Sequence, residues 1–455
     1  MESVEDEARI LKESKIQQEL DLRRSGSSSG SSSSRSLSAE EEDELEGMAG
    51  DSGSARRIDD PDSVEARISL GSGAFPHSSS LEAGNIFSAE LGEKGLEEAR
   101  VASTSRSSGQ LQGEGKLCSW LEFLSVLAHL TAFGIIGVLI RFGLEQLFGP
   151  PVAGVTTDNS ALFNDLPANM LGSFFMGWVG VVYKKDISLF SEHLAVGLST
   201  GLMGSITTYA AMIQRMMANM VGNHWMNGIV GLLLGMELAQ ISLIVGVDSA
   251  KLLNKILERI NHNRGRKGLK KLQAPAPDNL RRRYWSLMIF VLLGGFLWLG
   301  SLILTVFDSS SSSRRTLWLA CLVAPPGVWM RWYFARLNGQ GIGSKHYLRW
   351  LPFGTLLVNV SASTIEAALA TVEVAVGNYN ARLLVGGLQL GLLGCLSTVS
   401  TFVAEIQIMH QGRNRWRAYA YPVFTILTSL AIGFLIYGVP VWVLGLGARY
   451  RPLEK

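Results

Sequence analysis

From about Trp120 onward the chain alternates long apolar stretches with short polar breaks, the pattern of helices in lipid. A stretch needs roughly 20 apolar residues to cross a bilayer. Nine qualify: 121–148, 162–183, 190–217, 224–250, 284–306, 316–337, 351–376, 381–408 and 418–445. The predicted fold is therefore an all-α membrane protein. The third and eighth stretches carry three glycines each ahead of Thr207-Thr208 and Ser397-Thr398, so both are expected to be broken helices.

The polar positions inside these stretches repeat. Shifted forward by 190, Gly137 meets Gly327, Arg141 meets Arg331 and Asn169 meets Asn359. Gly197, Gly201 and Gly204 meet Gly387, Gly391 and Gly394, and Thr207 meets Ser397. Polar groups are costly in hydrocarbon, so a doubled set implies a doubled site. The stretch at 284–306 has no partner, which leaves four helices, one linker helix and four more. The expected division is a first repeat at 117–250, a basic loop and linker helix at 251–312, and a second repeat at 313–455. An odd linker puts the second repeat in upside down, so the two repeats are expected to be inverted.

Charge supports that orientation. The loop after the fourth stretch holds eleven Lys and Arg between Lys251 and Arg283, whereas residues 149–165 hold none. Basic loops stay cytoplasmic. This predicts a cytoplasmic N-terminus and an outer C-terminus, with Arg314 and Arg315 running against the rule. Residues 1–116 are charged and serine-rich, with a Ser/Gly run at 25–34, and are expected to form a disordered cytoplasmic tail. No signal peptide is expected, because residues 1–7 lack a basic region and an apolar core. Cys118, Cys321 and Cys395 lack metal-ligand spacing, so neither a zinc site nor a disulfide framework is expected. The net charge of +2 mixes two regimes and identifies no partner; no nucleic acid is expected to bind.

Three motifs lie in order within the first repeat. They are Gly137-x-x-x-Arg141-Phe142, Asn169-Met170-Leu171-Gly172-Ser173 and Gly201-x-x-Gly204-x-x-Thr207-Thr208-Tyr209. The second repeat carries Gly327-x-x-x-Arg331-Trp332, Asn359-Val360-Ser361-Ala362 and Gly394-Cys395-Leu396-Ser397-Thr398-Val399-Ser400-Thr401-Phe402. It continues to Glu405, where the first repeat has Arg215. The series resembles the small fluoride channels of bacteria and their fused eukaryotic relatives, the fluoride exporters of the Fluc/CrcB family. The resemblance covers about 120–445 and leaves the N-terminal tail outside it.

That resemblance implies a structural sodium ion held by backbone carbonyls of Gly204, Thr207, Gly394 and Ser397. Since carbonyls would bind it, serine in place of threonine at 397 should be tolerated. The competing reading of the glycines is close helix packing. Asn169 and Asn359 are candidate pore-lining donors, because an amide offers N–H groups without a trapping charge; an interhelical hydrogen bond is the alternative. Arg141 and Arg331 fall near predicted span ends, as anchors or as vestibule charges. Glu405 joins them as a vestibule or structural residue. Tyr421, Thr425 and Ser429 share one helix face and resemble the family's hydroxyl track, whereas the fourth stretch offers Gly231, Gly235 and Ala239.

The resemblance also places two aromatic positions in each pore. The first repeat keeps Tyr209 and has Met212 at the second position; the second has Val399 and keeps Phe402. If each pore draws one position from each repeat, one pathway has Tyr209 with Phe402 and the other Met212 with Val399. The reading is a non-enzymatic fluoride export channel of the plasma membrane, a single two-domain chain in lipid with one working pore. A proton-coupled anion transporter using Glu237, Glu366 or Glu405 is the alternative, and a non-conducting scaffold a third.

Overall fold

In a computed structural model, each predicted stretch is helical over most of its length; residues 118–266, 280–308, 311–341 and 348–445 are described. They fall in the compact unit His77–Lys455. The expected disordered tail and residues 267–279 of the basic loop lie outside the described residues.

The first repeat runs through α1 (Ser119–Phe148), α2 (Leu166–Met176), α3 (Lys184–Phe190), α4 (Glu192–Val196), α5 (Gly204–Ile206), α6 (Ala210–Val221) and α7 (Trp225–Arg266). Then come α8 (Leu280–Phe307) and α9 (Ser312–Phe334), followed by α10 (Phe353–Val376), α11 (Tyr379–Gly387), α12 (Gly394–Leu396) and α13 (Ser400–Gln411). The last helices are α14 (Arg417–Gly433) and α15 (Val439–Val443). Wider π turns at Gly197–Met203 and Leu388–Leu393 join α4 to α5 and α11 to α12. No strand occurs among the described residues.

Local chemistry accounts for several ends. Ser191, Ser311 and Asn378 cap α4, α9 and α11 by accepting from Leu194, Arg314 and Ala381 backbone N–H groups. Gly377, at φ +66°, closes α10 in the left-handed conformation that only glycine adopts freely.

Among the described residues, seven helices are long and apolar enough to cross a bilayer, or eight if the bent pair Leu166–Val182 and Lys184–Phe190 counts as one span. Helix α9 falls outside that set; Arg314, Arg315, Arg331 and the prolines 325 and 326 lower its apolar character. Helix α8 buries Leu287, Gly294 and Ser301, a stripe seven residues apart, and exposes Leu292, Phe296, Val306 and Phe307. A narrow seam against protein and a broad apolar face suit a helix bordered mostly by lipid. Its seam packs on α1, where the Phe290 ring stacks on His129 at 3.8 Å.

Candidate functional site

The two helix breaks meet at the centre. Helix α5 ends at Ile206 and Thr207 turns extended (φ −92°, ψ 146°); α12 ends at Leu396 and Ser397 does the same (φ −81°, ψ 162°). Each restart leaves N–H groups without a partner in their own helix. The repeats supply those partners for each other. Ser397 Oγ accepts from Tyr209 N (3.2 Å) and Ala210 N (3.1 Å), capping α6. Thr207 Oγ1 accepts from Val399 N (3.3 Å) and Ser400 N (3.2 Å), capping α13. Thr207 Oγ1 also lies 3.2 Å from Thr398 Oγ1, and Thr208 Oγ1 lies 3.3 Å from Ser397 Oγ. The hydroxyls of Thr207 and Ser397 therefore have a role of their own, which the carbonyl reading did not foresee.

The asparagines complete the breaks. Asn169 Oδ1 accepts from Thr208 N at 2.8 Å while its Nδ2 donates to Thr208 O at 3.2 Å. Asn359 repeats this with Thr398, at 2.9 and 3.1 Å. Both are fully buried. Each amide thus splints an unwound residue, as the interhelical reading expects, and its Nδ2 keeps a second N–H that this bond does not use.

Both arginines are corrected inward. Arg141 and Arg331 are buried, 1% and 4% exposed, rather than snorkelling at span ends or lining an open vestibule. Arg331 Nη1 donates to Gly204 O (2.7 Å) and Ser397 O (3.2 Å), and Nη2 donates to Thr200 O. Arg141 Nη2 donates to Leu390 O, and its guanidinium lies where a Cβ on Gly394 would stand. Unwound carbonyls attract the guanidinia, because polar backbone buried in hydrocarbon needs a donor. Two of the four carbonyls expected to hold sodium thus already accept from Arg331. The residues present do not fit a sodium ion held by all four. Gly204 and Gly394 have ordinary helical φ (−67° and −62°), so they are needed as space for guanidinia, not for a special turn.

Beyond the breaks, aromatic and hydroxyl groups from both repeats line up. Tyr209 OH donates to Ser429 Oγ (3.3 Å), and its ring meets Phe402 edge-on at 5.6 Å. Phe402 meets Tyr421 edge-on at 4.8 Å, and Tyr421 OH donates to Glu405 Oε2 at 2.9 Å. Thr425 donates to Tyr421 O at 2.8 Å. Two residues not singled out in the sequence hold Glu405: Thr355 Oγ1 donates at 2.6 Å and Asn338 Nδ2 at 3.2 Å. Asn338 Oδ1 also accepts from Gly354 and Thr355 N–H groups at the start of α10, a capping signal readable only as a helix start.

The counterpart ground in the first repeat is filled. A Cβ on Gly235 would lie 2.8 Å from the Met212 sulfur and 3.1 Å from the Phe163 ring, and Met216 covers Gly231. Arg215, at the position matching Glu405, pairs with Asp165 at 2.9 Å and with Asp158. No hydrogen bond links Glu237, Glu366 and Glu405 among the described residues: Glu237 is exposed, and Glu366 is buried with Oε2 unpartnered.

Comparison with known proteins agrees with the repeat. The family model described as CrcB-like protein, Camphor Resistance (CrcB), matches twice, at residues 128–247 and 318–439. A Candida albicans protein called Fluoride export protein 1 is 24% identical over 71% of this chain and 82% of its own length. The Neurospora crassa protein of that name is 25% identical over 71% of this chain and 68% of its own. A Shewanella denitrificans fluoride-specific ion channel FluC is 30% identical over 26% of this chain and 91% of its own length. No solved structure matches the chain. Two matched repeats, each carrying a broken helix braced by the other, make this multi-pass membrane protein a member of the CrcB-like family.

Proposed function

We propose that the chain exports fluoride through a passive, selective channel in the plasma membrane, with one working pore. The chain is a channel and not an enzyme. The observation that carries the single pore is the one-sided line Ser429, Tyr209, Phe402, Tyr421 and Glu405, opposite ground filled by Met212, Met216 and Phe163. Relatives named as a fluoride export protein and a fluoride-specific ion channel supply the ion.

The line suits a small, strongly hydrated anion. Tyr209, Phe402, Tyr421, Thr425 and Ser429 are buried, so an ion entering must shed its water shell. Ser429 Oγ, which accepts from Tyr209 and keeps its own proton to offer, and the weakly positive ring edges of Phe402 and the tyrosines replace that shell. The driving force needs no fuel, because 100 mV across the membrane is worth about 2.3 kcal/mol per charge. At about 1.4 kcal/mol per decade this holds a roughly fortyfold gradient. Glu237, Glu366 and Glu405 share no hydrogen bond with one another among the described residues, which favours a channel over coupled transport.

The arrangement belongs to nine spans in two inverted repeats, with the N-terminus cytoplasmic, the C-terminus outside, and lipid around a single two-domain chain. The exchange of contacts between equivalent residues supports this, since Arg141 reaches Leu390 as Arg331 reaches Thr200. Such an exchange is what a two-fold relation produces. Fluoride-electrode efflux from liposomes holding the purified chain tests the function. Valinomycin should accelerate efflux by letting potassium carry the compensating charge. Efflux that required a proton gradient would replace the channel with a transporter, and absence of flux would leave a scaffold.

A further inference from the structure

At the meeting of the breaks, the sequence resemblance implies a bound sodium ion, yet the chain brings its own cation there. Arg331 Nη1 donates to Gly204 O and Ser397 O, one carbonyl from each repeat's break, at 2.7 and 3.2 Å. Its Nη2 takes Thr200 O and lies 3.5 Å from Ser205 Oγ. Arg141 reaches from the first repeat onto Gly394 and Leu390 in the same way that Arg331 reaches onto Gly204 and Thr200. Neither arginine forms a salt bridge among the described residues. A guanidinium is permanently charged, carries five donors and accepts nothing. It therefore serves the same carbonyl lone pairs that a metal ion would. A sodium ion added to this cradle would meet the Arg331 charge on the same oxygens and would have to share two of its four carbonyls with it.

We propose that the centre of this protein is held by a resident guanidinium, Arg331 with Arg141 beside it, in place of a sodium ion. The arginine joins the two repeats covalently anchored on one side, so the junction does not depend on the cation content of the medium. The resident charge also stands near the anion pathway, where a metal ion would have supplied it.

The test uses the full chain, purified and reconstituted either in sodium salts or with N-methyl-D-glucamine throughout. Two readouts are taken: thermal unfolding in detergent, which needs no fluoride flux and so stands even if the proposed function fails, and fluoride efflux from liposomes. The expected result is no shift in Tm and no change in efflux on removing sodium. A lower Tm or a loss of efflux in the sodium-free preparation would overturn the proposal. Arg331→Gln empties the cradle. Its Tm should fall without sodium and rise with sodium concentration, as expected for a ligand that binds only the folded state. A folded Arg331→Gln protein indifferent to sodium would show that the arginine fills no cation site and would also overturn the idea. If that variant does not fold, the wild-type comparison decides alone.

Discussion

Replacing Thr207 by valine keeps the side chain's shape and removes one hydroxyl. That hydroxyl accepts from Val399 N at 3.3 Å and Ser400 N at 3.2 Å, and both residues are fully buried. Valine leaves two helix-start donors of α13 without a partner and without access to water. Loss of a capping oxygen costs about 0.5–2 kcal/mol, and each orphaned buried donor costs about 1–3 kcal/mol. The bonds are long, so the low ends apply, and a loss of about 2 kcal/mol is expected, roughly thirtyfold in the folding equilibrium at about 1.4 kcal/mol per decade. Thr207→Ser keeps the acceptor and loses only the methyl that packs against Gly172, a change of about 0.8 kcal/mol or less. Ser397→Ala removes the reciprocal cap on Tyr209 N and Ala210 N. Because both caps close one junction, the double variant should depart from additivity by about 0.5 kcal/mol or more. Reversible unfolding in detergent, with fluoride efflux alongside, measures all four proteins. Thr207→Val as stable as Thr207→Ser would refute the exchanged caps, and strict additivity with Ser397→Ala would refute their coupling.

Three further outcomes follow from the same geometry. Efflux should fall severely with Tyr209→Ile or Phe402→Ile, whose rings meet at 5.6 Å, and change little with Val399→Ala or Met212→Leu. Leucine is the right probe at 212, where alanine would remove three heavy atoms from a fully buried site; Val399 is buried too, so unfolding is measured beside efflux, and equal damage from all four at unchanged stability would remove the single pore. Gly204→Val should abolish folding or efflux, since its Cβ would occupy the Arg331 guanidinium, and normal efflux would show that the arginine does not lie there. Cysteines placed at Ser29 and Lys455 should label from opposite faces of the membrane, and labelling from one face would remove the inverted repeats.

Much of this protein was determined by its sequence alone, because lipid penalises polar groups and leaves few reasons for them. Gly201-x-x-Gly204-x-x-Thr207-Thr208 and its second copy marked two helix breaks, and helices α5 and α12 do stop at Ile206 and Leu396. The complementary aromatics were legible too, and Tyr209 and Phe402 do meet. Partners were another matter. A one-dimensional pattern ranks Arg141 by its place near a span end, whereas its long side chain runs inward to Leu390, 249 residues away. Asn169 and Asn359 read as polar groups facing a pore, and the tertiary structure adds a task, since unwound backbone at Thr208 and Thr398 takes the Oδ1 and one N–H of each amide. Asn338 and Thr355 carry no motif and gain a role only because α10 and α13 bring them to Glu405. Local periodicity and composition settle where helices run and where they break. Which donor serves which orphaned carbonyl is decided across the interface between repeats, where burial removes water and makes the nearest side chain the sole alternative.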